Sequence, residues 1–130
     1  LSEILLLAAG GALGAVSRYG LNNLFIKLLG ESFPYGTLIV NCLGCFVLGF
    51  LMQWGFSSGN HNTHLKLMLT AGFLGAFTTF STFSYETLDC FRNGNYVSGL
   101  SNILANVVLG LLMVFIGAYL GGLLKQNSGT

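Results

Sequence analysis

The chain has 130 residues, 53% hydrophobic and 7% charged, with a formal net charge of +1 and a mean hydropathy of +0.74. Soluble domains carry about 25% charged residues, so a water-exposed globular surface is excluded, and the apolar fraction is too high for a disordered chain. The near-neutral charge gives no footprint for nucleic acid. At roughly 20–25 residues per membrane crossing, four helices and short links use all of these residues and leave no room for a soluble domain.

The first predicted span covers about 4–29. It reads as a retained helix, because it is long, carries glycines and lacks the basic start of a secretory signal. Gly10, Gly11, Ala12, Gly14 and Ala15 form a smooth patch that allows a second helix to come close. Arg18 falls well inside this span, where an unpaired guanidinium costs about 2.5–3.5 kcal/mol on the insertion scale. It can snorkel to the interface, stand at the mouth of an anion path, or act as a buried anchor. Gly30–Pro34 is a turn, and Pro34 suits the opening of the next helix.

The second span, about 35–56, carries one strongly polar interior residue, Asn41. Thr37 lies one turn before it and Gly44 and Cys45 one turn after, so all share a face. An asparagine at this depth serves either as glue between helices or as a donor facing a ligand. Cys42 and Cys45 form a C-x-x-C, but no neighbouring Cys or His completes a zinc set, so they read as small buried residues. The stretch Ser57–His64 is a polar loop in which His61 and His64 lack a carboxylate partner for a metal site.

The third span, about 65–88, holds the most informative sequence, GFLGAFTTFSTFSYET at 72–87. Glycine-rich apolar sequence gives way to seven hydroxyl side chains: Thr78, Thr79, Ser81, Thr82, Ser84, Tyr85 and Thr87. Phe80 and Phe83 are threaded through them, on one face of a resumed helix. Some hydroxyls can bond back to the preceding turn, but seven need partners, water or a substrate. Gly72 and Gly75 mark a plausible break, tolerated in a membrane only where freed carbonyls line a cavity or meet an ion. Glu86 and Asp89 read as interfacial residues at the exit. The fourth span, about 97–124, carries Ser98, Asn102 and Asn106 as a polar stripe, and a Gly117-x-x-x-Gly121 packing signal.

Four spans put Lys66 and Lys125 on one side and Lys27 and Arg92 on the other. Two against two is no positive-inside bias, with Arg18 the only tie-breaker, so the chain is expected to insert both ways. Four small helices are also too few to enclose a pore, which makes an antiparallel homodimer the smallest reasonable unit.

Three stretches carry a family resemblance: GGALGAVSRY at 10–19, GTLIVNCLG at 36–44 and GFLGAFTTFSTFSYE at 72–86. The chain resembles the Fluc/CrcB family of small bacterial fluoride channels. The resemblance implies an all-α membrane protein with four transmembrane helices, the third broken, forming a dual-topology antiparallel homodimer. It implies two anion pathways that export fluoride, selected over chloride, across the bacterial inner membrane and so relieve toxicity. By the same resemblance Asn41, Phe80 and Phe83 line the pathway, and Thr37, Ser81 and Thr82 belong to an associated polar track, with Asn106 as a further member. Arg18 matches a family signature. A structural Na⁺ at the dimer centre is implied by the same likeness, held by backbone carbonyls of Gly75 and Thr78. The residue chemistry agrees in kind: asparagine N–H groups, hydroxyls and the positive edges of phenylalanine can replace hydration water around an anion. No nucleophile–base pair or in-span general acid suggests an enzyme. Two rivals are a small multidrug exporter, which needs an embedded coupling carboxylate, and a membrane subunit that only packs.

Overall fold

The computed structural model describes residues 1–57, 59 and 62–129; His61 of the polar loop lies outside them. Helix α1 runs Ser2–Leu29 and α2 runs Tyr35–Trp54. The third span is composite: α3 (Thr63–Leu67), a π-helical stretch (Met68–Leu74), a single turn α4 (Gly75–Phe77) and α5 (Phe80–Arg92). Helix α6 closes the order at Tyr96–Ser128. All four spans are long and apolar enough to cross a membrane, which makes this a multi-pass membrane protein.

The predicted boundaries need small corrections. Asn62 caps α3, its Oδ1 accepting from the backbone N–H groups of His64 and Leu65 at 3.0 and 3.1 Å. His64 therefore belongs to the first turn of a helix rather than to the loop. Helix α6 continues past Leu124 to Ser128. At about 1.5 Å per residue it outruns a 30 Å hydrocarbon core, so its ends reach the interfaces.

Burial is inverted relative to a soluble protein. Much of the buried set consists of glycines and polar residues such as Thr37, Thr87 and Asn102, while many leucines and valines point outward. Lipid is as apolar as leucine, so helices gain by close backbone approach instead of by hiding aliphatic surface. The α1 glycine patch meets the π stretch, where a Cβ on Gly10 or Gly14 would run into the carbonyl oxygens of Met68 and Phe73. Helices α2 and α6 form the other close pair. Gly117 and Gly121 lie against the backbone carbonyls of Phe46 and Phe50, and Gly49 lies against that of Val114. The G-x-x-x-G of α6 thus joins two helices of the same chain.

The chain threads up and down. Lys125 donates to Ser57, bringing the end of α6 to the end of α2. At the opposite end the α1–α2 turn and the α5–α6 turn share one polar cavity. The two-against-two distribution of Lys66 and Lys125 against Lys27 and Arg92 follows from this threading.

Candidate functional site

The chemistry gathers at a break between α4 and α5. Thr78 and Thr79 are extended, with φ/ψ of −83/155° and −148/114°. The third span is thus interrupted as expected, just beyond Gly72 and Gly75 and where the hydroxyl run begins. Gly72 lies under α1, 3.2 Å from a Cβ position to the Leu7 carbonyl, and Gly75 remains helical. A distant side chain sets the register instead. Asn41 accepts from the Thr79 N–H at 2.8 Å through Oδ1 and donates to the Thr79 carbonyl at 3.1 Å through Nδ2. A single carboxamide thus satisfies both backbone groups of an extended residue, as a neighbouring strand would.

Two further contacts fix the break. The Thr79 hydroxyl caps α5 by accepting from the Thr82 N–H at 3.2 Å, and it donates to the Thr82 hydroxyl at 3.0 Å. Gly44 makes room for Thr78, because a Cβ there would meet the Thr78 methyl. Arg18 is drawn to the same place: its Nε donates to the Ala76 carbonyl at 3.0 Å, linking α1 to α4. Arg18 also lines one of the cavities beside the break. Its guanidinium also meets the negative end of a helical segment.

Three neighbouring cavities surround the break. A cleft of about 300 Å³ lies between the turns at one end and includes Asn22, Tyr85, Glu86 and Asp89. A second, about 290 Å³, is lined by Arg18, Asn22, Thr37, Thr79 and Thr82 among others. A third, about 360 Å³, contains Asn41, Gly75, Thr78, Phe80, Phe83 and Asn106. Asn22 borders the first two and Thr79 the last two, so they form a sequence from the turn end to the middle of the chain.

Most of the residues named from the sequence meet here. Phe80 and Phe83 have ring centroids 5.4 Å apart at 56°, a tilted pair that presents an edge. Phe83 is 8% exposed, whereas Phe80 is 78% exposed and projects from the single chain. Ser81 is exposed beside the break, 3.4 Å from the Thr79 hydroxyl. Thr37 does not join Asn41 despite the shared face; its hydroxyl donates to Glu86 Oε1 at 2.8 Å. Glu86 is half-buried, and its Oε2 has no partner among the described residues. It lines the cleft at the turn end, where the sequence places it, and Thr37 ties it to α2.

Asn106 donates to the Asn102 carbonyl and to its Oδ1, both at 2.9 Å, and accepts from Asn41 Nδ2 at 3.0 Å. Thr79, Glu86 and Asn102 are the site residues that sequence reasoning passed over. The stripe 98–102–106 signalled Asn102, and the hydroxyl run contained Thr79. Glu86 carried no local signal, because its partner Thr37 is 49 positions away.

Gly75 and Thr78 fit a cation's needs in one respect. In a continuous helix their carbonyls would take the N–H groups of Thr79 and Thr82. Those N–H groups are diverted to Asn41 Oδ1 and Thr79 Oγ1, which frees both carbonyls beside the cleft.

Comparison with known proteins places this arrangement. The family described as CrcB-like protein, Camphor Resistance (CrcB) matches residues 5–118. The chain belongs to the CrcB family. Among its curated relatives is a protein named "Fluoride-specific ion channel FluC" from Dehalococcoides mccartyi, 89% identical over 130 residues that span 100% of both chains. Proteins of the same name from Clostridium perfringens and Campylobacter lari are each 45% identical, the first over 92% of this chain and 94% of its own, the second over 90% and 95%. The resemblance drawn from 10–19, 36–44 and 72–86 is therefore borne out for the whole CrcB-family chain.

Proposed function

We propose that this chain is a fluoride-selective ion channel that exports fluoride down its gradient across the bacterial inner membrane and relieves fluoride toxicity. The observation that carries the reading is the meeting of Asn41, Thr79, Phe80 and Phe83 at a helix break, beside a run of cavities, in a chain whose relatives bear the name quoted above. A dehydrated anion needs N–H and O–H donors or positive ring edges in place of water. Arg18, Thr37, Thr82 and Asn41 supply polar groups along the cavities, Ser81 stands exposed beside the break, and the two phenylalanines supply edges. Asn106 belongs to this polar set through its bond to Asn41.

The working unit in this reading is an antiparallel dual-topology homodimer with two pathways. The exposed Phe80, Ser81, Ser84 and Gly75 leave the break uncovered in one chain, and a second copy in opposite orientation would complete its walls. The freed Gly75 and Thr78 carbonyls from both copies would hold one structural Na⁺ on the twofold axis. Four hard oxygens without a carboxylate suit an alkali cation better than a softer metal. Such an ion would tie the chains together.

Purified protein in fluoride-loaded liposomes provides the test. Rapid fluoride efflux is expected, with chloride efflux at the level of protein-free vesicles. Equal efflux of both halides would remove selectivity from the reading. Efflux of neither would remove the channel.

A further inference from the structure

Asn102 has no exposed surface and Thr87 is buried, and neither lines the cleft at the break. Polar groups sealed in this way are held for the bonds they make. Those bonds run in one direction. The Thr87 hydroxyl donates to the Phe83 carbonyl at 2.8 Å, so its oxygen is left to accept, and it takes an N–H of Asn102 at 2.9 Å. Asn102 must therefore turn its Oδ1 toward Asn106, which donates both to it and to the Asn102 carbonyl at 2.9 Å. Asn106 is left with its own Oδ1 facing Asn41, where it accepts from Nδ2.

The far end of the relay imposes the same polarity. The Thr79 N–H can only donate, so it requires the oxygen of Asn41, and the Thr79 carbonyl takes one of the two Asn41 N–H bonds. Flipping any one of the three carboxamides sets N–H against N–H or oxygen against oxygen. Both Asn41 N–H bonds are thus engaged within the chain, one of them by a side-chain oxygen at the border of the cleft.

We infer that Asn106 is a built-in competitor for the anion-binding N–H of Asn41, and that Thr87 and Asn102 are positioning residues that hold its oxygen in that role. The inference rests on the fluoride-channel reading of the cleft. An amide oxygen does not attract an anion; the anion displaces it. The oxygen keeps the Asn41 donor satisfied between ions and reclaims it as each ion leaves, which weakens binding enough for release, as conduction requires.

Efflux from liposomes over a range of fluoride concentrations yields the half-saturating concentration and the maximal rate separately. Asn106→Ala removes the competing oxygen. Thr87→Val keeps the side-chain shape and removes the acceptor of the Asn102 N–H; the Asn102 carbonyl still takes an Asn106 N–H, so the Asn106 oxygen faces Asn41 but is held there less firmly. Asn106→Ala is expected to lower the half-saturating concentration about fivefold, the equivalent of one net hydrogen bond of about 1 kcal/mol, Thr87→Val to lower it by a smaller factor, and both to reduce the maximal rate. A packing role would alter folded yield or maximal rate and leave half-saturation in place. A half-saturating concentration that rises or stays put in either variant overturns the inference. If the unmodified protein passes no fluoride, the channel reading fails, and the relay still faces a separate check. With ¹⁵N-labelled asparagine side chains, Thr87→Val must shift the amide resonances of Asn106 and Asn41; resonances that do not move overturn the relay.

Discussion

Replacing Asn41 by aspartate changes one atom in kind and opposes the site in two ways. The new Oδ2 takes the place of Nδ2, which lies 3.1 Å from the Thr79 carbonyl and 3.0 Å from Asn106 Oδ1. Two attractive contacts become contacts between oxygens, and Asn106 cannot flip to relieve them while Asn102 holds its N–H. The carboxylate also sets a fixed negative charge on the anion route. At about 4 Å and an effective dielectric constant near 20, it repels a fluoride ion by about 4 kcal/mol, which corresponds to about 10³ in occupancy. The Thr79 N–H keeps its acceptor, so the break retains one of its two Asn41 bonds and the protein is expected to fold. Fluoride efflux from liposomes, followed with a fluoride electrode and normalised to folded protein, should therefore fall on the order of a thousandfold. Efflux within threefold of the unmodified protein, with helix content unchanged, would refute a pathway through Asn41.

The remaining expectations address the rings, the break and the assembly. Phe80→Ile should leave thermal stability almost unchanged in the isolated chain, since the ring is 78% exposed, yet lower fluoride flux about tenfold or more through loss of a ring edge. Phe83→Ile should lower flux similarly and also destabilise the fold by roughly 1–2 kcal/mol, because that ring is buried; paired flux and unfolding measurements separate the two. Gly75→Val should disrupt the proposed dimer on a sizing column, whereas Thr78→Ser should be mild because the proposed Na⁺ ligands are backbone atoms; full dimer stability and activity after exhaustive sodium removal would argue against the ion. Placing two or three lysines beside Lys66 should bias insertion to one orientation and reduce efflux, with rescue by a copy biased the other way. A C-terminal reporter that finds only one orientation in the unmodified chain would contradict dual insertion.

The spans were legible because lipid imposes a simple rule: long apolar runs separated by polar turns leave few alternatives. The small-residue seams were legible for a related reason, since glycines at helical spacing have few uses in a membrane beyond close approach. A break near Gly72 and Gly75 was legible too, but not its register: Gly72 makes room for α1, and the chain parts at Thr78–Thr79. The register of the break depends on Asn41, 38 positions away, whose carboxamide competes with the helix for the backbone of Thr79. No local propensity encodes such a competition. The partner of Glu86 was hidden for a similar reason. Its position near the end of a span was legible, but its bond to Thr37 is a fact of packing between α2 and α5. The asparagine stripe on α6 was visible from its spacing, but the polarity of its amides depends on Thr87 and Thr79, which only the fold brings to its two ends.

The central claim, selective passage of fluoride, is tested most directly by the reversal potential of the purified protein in a planar bilayer. With fluoride tenfold more concentrated on one side and chloride tenfold more concentrated on the other, at equal ionic strength, a fluoride-only conductor should reverse near the fluoride equilibrium potential, about 59 mV from zero. A reversal potential close to zero under those opposed gradients, with currents that depend on the protein, would mean that both halides pass and would contradict the claim.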